Sequence, residues 1–287
     1  MFLAFLPILY LLYETISPTF DGFEASKIKG KRVFITGGNS GIGLVAASEL
    51  AKQGAEIVLA CKPSKKTDLA VSFLNSTSSV PVINLDVDLA SLESVRNLAA
   101  RFLEKYDSLD VLINNAGIFP PKQRFTLDGF EMQFGVNHLS HFLLTNLLMD
   151  CLEKTAPSRV ITVSSMLHKK GEIAFDSFRG YEKYNSSVAY NNSKLCNVLF
   201  ALDLASRKLG SGVTSNVLHP GAVSTDIVRD LPWVVRKIIG MMFMSPEKGA
   251  KTTVMLASDP SMEKETGNYY DQTKLDECSP LGHDEEL

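Results

Sequence analysis

A glycine-rich turn set between a short apolar run and a helical pattern narrows the folds open to this chain. Lys31-Arg32-Val33-Phe34-Ile35-Thr36 reads as a short buried strand, Gly37, Gly38, Gly41 and Gly43 follow directly, and a helical pattern runs from Ile42 to Gln53. Strand, glycine turn and helix N-terminus together make a site for a pyrophosphate. Exposed N–H groups and the helix dipole attract the anion, and the missing Cβ atoms let it approach. The spacing of Thr36-Gly37-Gly38-Asn39-Ser40-Gly41-Ile42-Gly43 is Thr-Gly-x-x-x-Gly-x-Gly. The Gly-x-Gly-x-x-Gly/Ala template fits Gly41, Gly43 and Ala46 only in a register that begins too far beyond the strand. A plain glycine turn is the simpler alternative.

The next strand is expected over Glu56 to Ala60 and ends in Cys61-Lys62. An NAD-binding protein usually carries an acid there for the adenosine ribose, whereas a lysine would meet a 2′-phosphate. Lys62 therefore favours NADP(H) over NAD(H), although it also reads as a solvated loop residue beside Lys65 and Lys66. A third strand, Val80 to Leu85, runs into Asp86-Val87-Asp88-Leu89, and a fourth, Asp110 to Ile113, into Asn114-Asn115-Ala116-Gly117. Repeated strand–helix alternation with short turns predicts a parallel sheet covered on both faces, with ligands beyond the carboxyl ends of the strands. Asp88 and the Asn-Asn-Ala-Gly turn fall there.

Further along, Val188 to Lys194 places Tyr190 and Lys194 four positions apart in an expected helix, on one face. A phenol with its ordinary pKa of ~10 is a poor base at neutral pH, and a neighbouring cation favours the phenolate. Such a pair can move a proton on and off an alcohol oxygen. Alone, the spacing is as well explained by a surface helix.

Together these residues carry a family resemblance. Thr36-Gly37-x-x-x-Gly41-x-Gly43, Asp88, Asn114-Asn115-Ala116-Gly117, Asn137, a strand-end serine, Tyr190-x-x-x-Lys194 and Pro220-Gly221 occur in the order and spacing of a short-chain dehydrogenase/reductase, over roughly residues 30 to 275. The apolar N-terminus, Ala60-Cys61-Lys62, Phe134-Gly135-Val136-Asn137-His138-Leu139 and a long insertion before the tyrosine are similar to the retinol dehydrogenase-like branch. The resemblance implies a single α/β domain of Rossmann type, doubly wound, with a seven-stranded, mainly parallel sheet and helices on both faces. It also implies a catalytic set of Asn137, Ser165, Tyr190 and Lys194. In that set Tyr190 is the general acid/base, Lys194 lowers its pKa and binds the cofactor ribose, Ser165 positions the substrate oxygen and Asn137 holds a relay water. Ser164 remains the alternative to Ser165. Cofactor contacts are implied for Gly37, Asn39, Ser40, Gly41, Ile42, Gly43, Lys62, Asp88, Leu89, Asn115, Ala116, Gly117, Tyr190, Lys194, Pro220, Gly221, Val223 and Thr225, with Asp88 on the adenine and Asn114 supporting the turn. The gap between Ser165 and Tyr190 is longer than the family usually shows. Lys169 to Ser186, with Phe175, Phe178, Tyr181 and Tyr184, fills it as part of an entrance rim or as a surface loop.

Composition sets the outer limits. With 287 residues and 45% hydrophobic content the chain suits one large domain, expected over residues 28–275. A net charge of −3 without a long basic block argues against nucleic acid. Cys61, Cys151, Cys196 and Cys278 are scattered and the histidines lack carboxylate support, so no metal site is expected. Residues 1–20 begin with an almost wholly apolar Met1 to Tyr13, shorter than the ~20 residues of a straight membrane span. A short anchor, an interfacial insertion broken at Pro7 and a core segment all stay open. Attachment to the endoplasmic reticulum or another intracellular membrane is the expectation. Lys27, Lys29, Lys31 and Arg32 then put the domain on the cytoplasmic side. At the other end His283-Asp284-Glu285-Glu286-Leu287 resembles a retrieval signal with an added Glu. Residues 276–287 read more simply as an acidic, solvated tail.

The resemblance places the substrate wall in residues 226–246. Leu231 to Met244 is apolar apart from Arg236-Lys237 and rich in methionine, which adapts to irregular apolar ligands. Segment 231–244 reads as a core helix, as a lid against lipid, or as both in turn. The expected substrate is lipophilic: retinol/retinal, or a sterol, polyprenyl or fatty alcohol or carbonyl. A homo-oligomer is open. The reading from a different class is a catalytically inactive nucleotide-binding interaction protein that has kept the fold. A serine hydrolase is disfavoured because no Gly-x-Ser-x-Gly elbow occurs.

Overall fold

A computed structural model describes residues 28–221 and 245–284 of the protein. Residues 1–20, segment 231–244, Val223 and Thr225 lie outside the described residues, as does the end of the expected tail.

Eight strands form one sheet in the order β3-β2-β1-β4-β5-β6-β7-β8. They are β1 (Arg32–Thr36), β2 (Glu56–Cys61), β3 (Ile83–Asp86), β4 (Val111–Asn114), β5 (Ser158–Val163), β6 (Val213–His219), β7 (Tyr269–Asp271) and β8 (Lys274–Asp276). The first seven pair in parallel and β8 returns antiparallel to β7. The expected count of seven is thus corrected to eight. The extra strand is a short hairpin partner at the sheet edge, where Gln272 takes a positive φ of 56° to make the turn. Three exposed residues give it no apolar alternation by which the sequence could reveal a strand.

The sheet is covered on both faces because its strands alternate side chains between two cores. Val33 and Ile35 enter one core with Ala46, Ala47 and Leu50 of helix α1 (Gly41–Lys52) and Val254 of helix α7 (Pro246–Ser258). Phe34 faces the opposite core and stacks on Phe102 of helix α3 (Leu92–Lys105), centroids 4.8 Å apart. Helices α4 (Ser140–Leu147) and α6 (Ser186–Arg207) add Leu144, Phe200 and Leu204 to that core. Helix α2 (Lys65–Thr77) follows β2, and α5 (Met149–Thr155) leads into β5.

The third strand starts later than its apolar run predicts. Asn75 takes both backbone groups of Val82, at 2.8 and 3.0 Å, and the Ser78 hydroxyl takes those of Val80. Pro81 has no N–H to offer. With those groups already satisfied, the ladder begins at Ile83.

Candidate active site

At the carboxyl ends of β1, β2, β4, β5 and β6 the chain opens a cleft of ≈ 460 Å³. It lies where strand order reverses, β2 and β3 on one side of β1 and β4 to β6 on the other, the usual ligand position of such sheets. Gly37, Asn39, Ser40, Gly41, Ile42 and Gly43 line one wall. Two glycines are required by contact or conformation. Gly37 has φ +67°, and a Cβ on Gly43 would fall 2.6 Å from the Gly37 carbonyl and 2.5 Å from Asn115 Nδ2. Helix α1 starts after Ser40 with no side-chain cap and no acid in its first turn. Ser64 and Ser91, by contrast, cap α2 and α3. Uncapped amides at a helix N-terminus, beside a backbone stripped of side chains, fit a dinucleotide pyrophosphate.

The glycine wall is held by the turn after β4. Asn115 donates to the Thr36 carbonyl at 2.8 Å, and the Thr36 hydroxyl accepts from the amides of Asn115 and Ala116, both at 3.0 Å. The expected support by Asn114 is corrected: its amide is buried and donates instead to Thr145 on α4, at 2.9 Å. Strand alternation explains the swap, because successive side chains leave opposite faces. Ala116 and Gly117 line the cleft beside Asn115.

At the β2 end, Lys62, Asp88 and Leu89 line the cleft, and the Lys62 ammonium meets Asp88 at 2.8 Å. Ser64 and Lys66, which carry no motif of their own, border the same end. Their signal was their position after β2, at the start of α2.

The other end is built on α6, whose residues from Ala189 to Val198 are all buried. Asn185 starts this helix by accepting the amides of Ser187 and Val188. Tyr190 and Lys194 share a face, the Lys194 ammonium lying 5.6 Å from the phenol ring centroid. Lys194 Nζ donates to the Val163 carbonyl at 3.0 Å, at the end of β5. Burial lowers the pKa of Lys194 to about 8. Burial raises that of Tyr190 to about 12, with a hydrogen bond from Ser165 pulling the other way. Desolvation disfavours the phenolate, so burial sets the net direction of the shift here.

The two serines after β5 face different partners. The Ser164 hydroxyl is buried and donates to the Lys194 carbonyl at 2.7 Å, so it anchors the helix backbone. Ser165 accepts the Leu167 amide at 3.3 Å and bonds Tyr190 in the cleft. Asn137 lies in a single π-helical turn, Phe134–Leu139. Its side chain accepts from Ile118 N at 2.8 Å and donates to Ile118 O and Ser193 Oγ. Its carbonyl meets His141 Nδ1 at 3.0 Å, and His141 Nε2 meets the Thr36 hydroxyl at 2.8 Å. A buried neutral imidazole so joins the active-site turn to the glycine wall, a link the sequence does not display.

His219, Pro220 and Gly221 close the cleft at the end of β6, and Phe119 packs edge-on against Tyr190 at 5.1 Å. The insertion between Ser165 and Tyr190 lies elsewhere. Phe178 stacks on Phe134 at 4.0 Å, and none of its four aromatic residues lines the cleft. Among the described residues no helix is long and apolar enough to cross a membrane.

The comparisons agree with this geometry. The family model for short chain dehydrogenases matches residues 31–233. Retinol dehydrogenase 14 of Homo sapiens is 42% identical over 286 residues, covering 93% of this chain and 85% of that protein. The crystal structure of an uncharacterized protein from Mycobacterium Paratuberculosis superposes with TM-score 0.74 at 32% identity, covering 93% of this chain and 92% of the other. The Pseudomonas aeruginosa RhlG/NADP active-site complex shares the fold, with TM-score 0.70 at 23% identity over 85% of this chain and 95% of that one. With the ordered motifs gathered round one dinucleotide-shaped cleft, the chain belongs to the short chain dehydrogenase family, in its retinol dehydrogenase-like branch, and is a nicotinamide-dependent oxidoreductase of alcohols and carbonyls.

Proposed function

We propose that the protein interconverts a lipophilic alcohol and its aldehyde or ketone with NADP(H), using Tyr190 as general acid/base. The observation that carries this is the buried phenol at the cleft wall, bonded to Ser165 and overlooked by Lys194. The name of the human relative, retinol dehydrogenase 14, supports a retinoid among the candidate substrates. Sterol, polyprenyl and fatty carbonyls belong to the same chemical class.

The uncapped start of α1, with Asn39 and Ser40, would hold the pyrophosphate. Asp88 and Leu89 would border the adenine, and Lys62 would leave Asp88 to meet a 2′-phosphate. Lys194 would hold the nicotinamide ribose. When bound, the nicotinamide exchanges hydride with the carbinol carbon. Ser165 positions the substrate oxygen and polarises the carbonyl. Tyr190 keeps its proton at neutral pH, as a pKa of about 12 requires, and gives it to that oxygen in reduction. In oxidation the phenol oxygen takes the hydroxyl proton back. Buried Lys194 beside it offsets the transient phenolate charge. Asn137 would hold the relay water through its backbone, since its side chain is occupied by Ile118 and Ser193.

The test is a panel of retinal, a steroid ketone, a polyprenal and decanal, each with NADPH or NADH, read by loss of cofactor absorbance and by product identity. Turnover of one lipophilic carbonyl, faster with NADPH, is expected. A chain inert toward the whole panel while binding NADPH would instead be the inactive nucleotide-binding protein. Residues 1–20 are proposed to attach the 28–275 domain to an intracellular membrane such as the endoplasmic reticulum, facing the cytoplasm. Their removal should free the protein from washed membranes, and unchanged retention counts against the attachment.

A further inference from the structure

The geometry points to His168 as a positioning residue through which the C-terminal segment 276–284 sets the orientation of Ser165. This rests on the substrate-positioning role proposed for Ser165. The residue begins a short 3-10 turn, Met166–Lys170, directly after β5. Its hydroxyl faces Tyr190, and its carbonyl is held from the other side by His168, through the backbone amide at 3.0 Å and Nδ1 at 2.6 Å. The remaining ring nitrogen, Nε2, accepts the Ser279 amide at 3.0 Å.

These two partners leave one protonation pattern. A carbonyl only accepts, so Nδ1 carries the proton, and an amide only donates, so Nε2 is bare. The ring is fully buried and lies 4.7 Å from the Tyr269 ring, so neither bond has water as a substitute. The segment that supplies Ser279 is fastened on both sides. Lys169 meets Asp276 at 3.1 Å, and Cys278 packs with Val198, Ala201 and Leu202 of α6, the helix that carries Tyr190 and Lys194. Residues 276–284 thus form a strap from the tyrosine helix to the serine turn, and the expected solvated tail is buried at Cys278 and Ser279. The strap fixes the carbonyl of Ser165, hence its ψ of 152° and the direction of its hydroxyl.

The test compares His168→Asn, which keeps a donor near the Nδ1 position but cannot reach Ser279, with Ser279→Pro and the double variant. Proline removes the donated N–H together with the side-chain hydroxyl, and the native φ of −56° at Ser279 already suits it. With the panel carbonyl that the wild type turns over as substrate, each single variant should lose about 10- to 100-fold in kcat, the scale expected when a catalytic group is displaced by about 1 Å. The NADPH dissociation constant, read by fluorescence, should stay within twofold, and the double variant should be no slower than the slower single one. A folded His168→Asn protein with wild-type kcat overturns the proposal, as does multiplication of the two losses in the double variant. His168→Asn decides alone if Ser279→Pro does not fold. Ser165→Ala separates the two layers. If it keeps wild-type kcat, or if the wild type turns over no carbonyl of the panel, the role of Ser165 itself fails. If it is inactive while His168→Asn is normal, only the strap fails.

Discussion

The two ends of the cleft handle charge in opposite ways. At the adenosine end Lys62 and Asp88 meet at 2.8 Å with side chains 63% and 40% exposed, so water screens the pair and it contributes about 0–1 kcal/mol. At the catalytic end Lys194 and Tyr190 are buried together, and desolvation pushes each toward its neutral form, to about 8 and about 12. A weak, solvated pair can exchange its internal partner for a phosphate at little cost. A desolvated pair is held in place and responds to the charge that develops on a reacting oxygen. Under the proposed function, binding and proton transfer would each rely on a lysine, in different dielectric surroundings.

The largest effect expected is at the buried end. Tyr190→Phe should lower kcat by about a thousandfold or more while NADPH binding, followed by fluorescence titration, changes little. Retained turnover would remove the phenol from the proton path. At the exposed end, Lys62→Glu should shift the NADPH-to-NADH ratio of kcat/KM toward NADH by about 10- to 100-fold. A wild type that prefers NADH would end the assignment of that lysine.

Acidity gives a third way to separate the ends. If the Lys194 ammonium is needed, kcat/KM for carbonyl reduction should fall about tenfold per unit above pH of about 8. The same groups affect stability with opposite signs. Lys194 has a folded pKa below the ordinary lysine value of 10.5, so its charge costs stability at low pH, and the cost is relieved as pH rises from about 8 to 10.5. Tyr190 has a folded pKa above 10.0, so its contribution is lost between pH 10 and about 12. Urea midpoints of wild type and Lys194→Met across pH 7 to 11 read this directly, and the variant should lack the rise above about pH 8. The smallest effect belongs to Lys62→Ala, whose unfolding free energy should stay within about 0.5 kcal/mol of wild type. A larger loss would mean that the exposed pair is less screened than its position implies.

Much of the fold was legible because its signals are local. The apolar runs of β1, β2 and β4, the glycine turn and the Tyr190/Lys194 spacing each occupy a few consecutive residues, and their order carried the family resemblance. β8 was missed because three exposed residues have no periodicity, and the start of β3 because Asn75 takes the groups of Val82. Aromatic content left the insertion open between rim and surface loop. Its Phe178 is turned onto Phe134 by contacts that no local pattern records.

By itself the chain's order of residues determined the parallel sheet covered on both faces, the glycine turn at its carboxyl edge and the shared helical face of Tyr190 and Lys194, since these follow from periodicity, turn chemistry and helical spacing. Only the tertiary structure decided which serine faces Tyr190, that Asn115 rather than Asn114 clamps the glycine wall, and which way the pKa of the phenol moves. It also decided that His168, bonded to Ser279 at 111 positions' distance, joins that residue to Ser165. Hydrogen-bond partners and desolvation depend on what packs around a group, and most of that packing comes from distant parts of the chain.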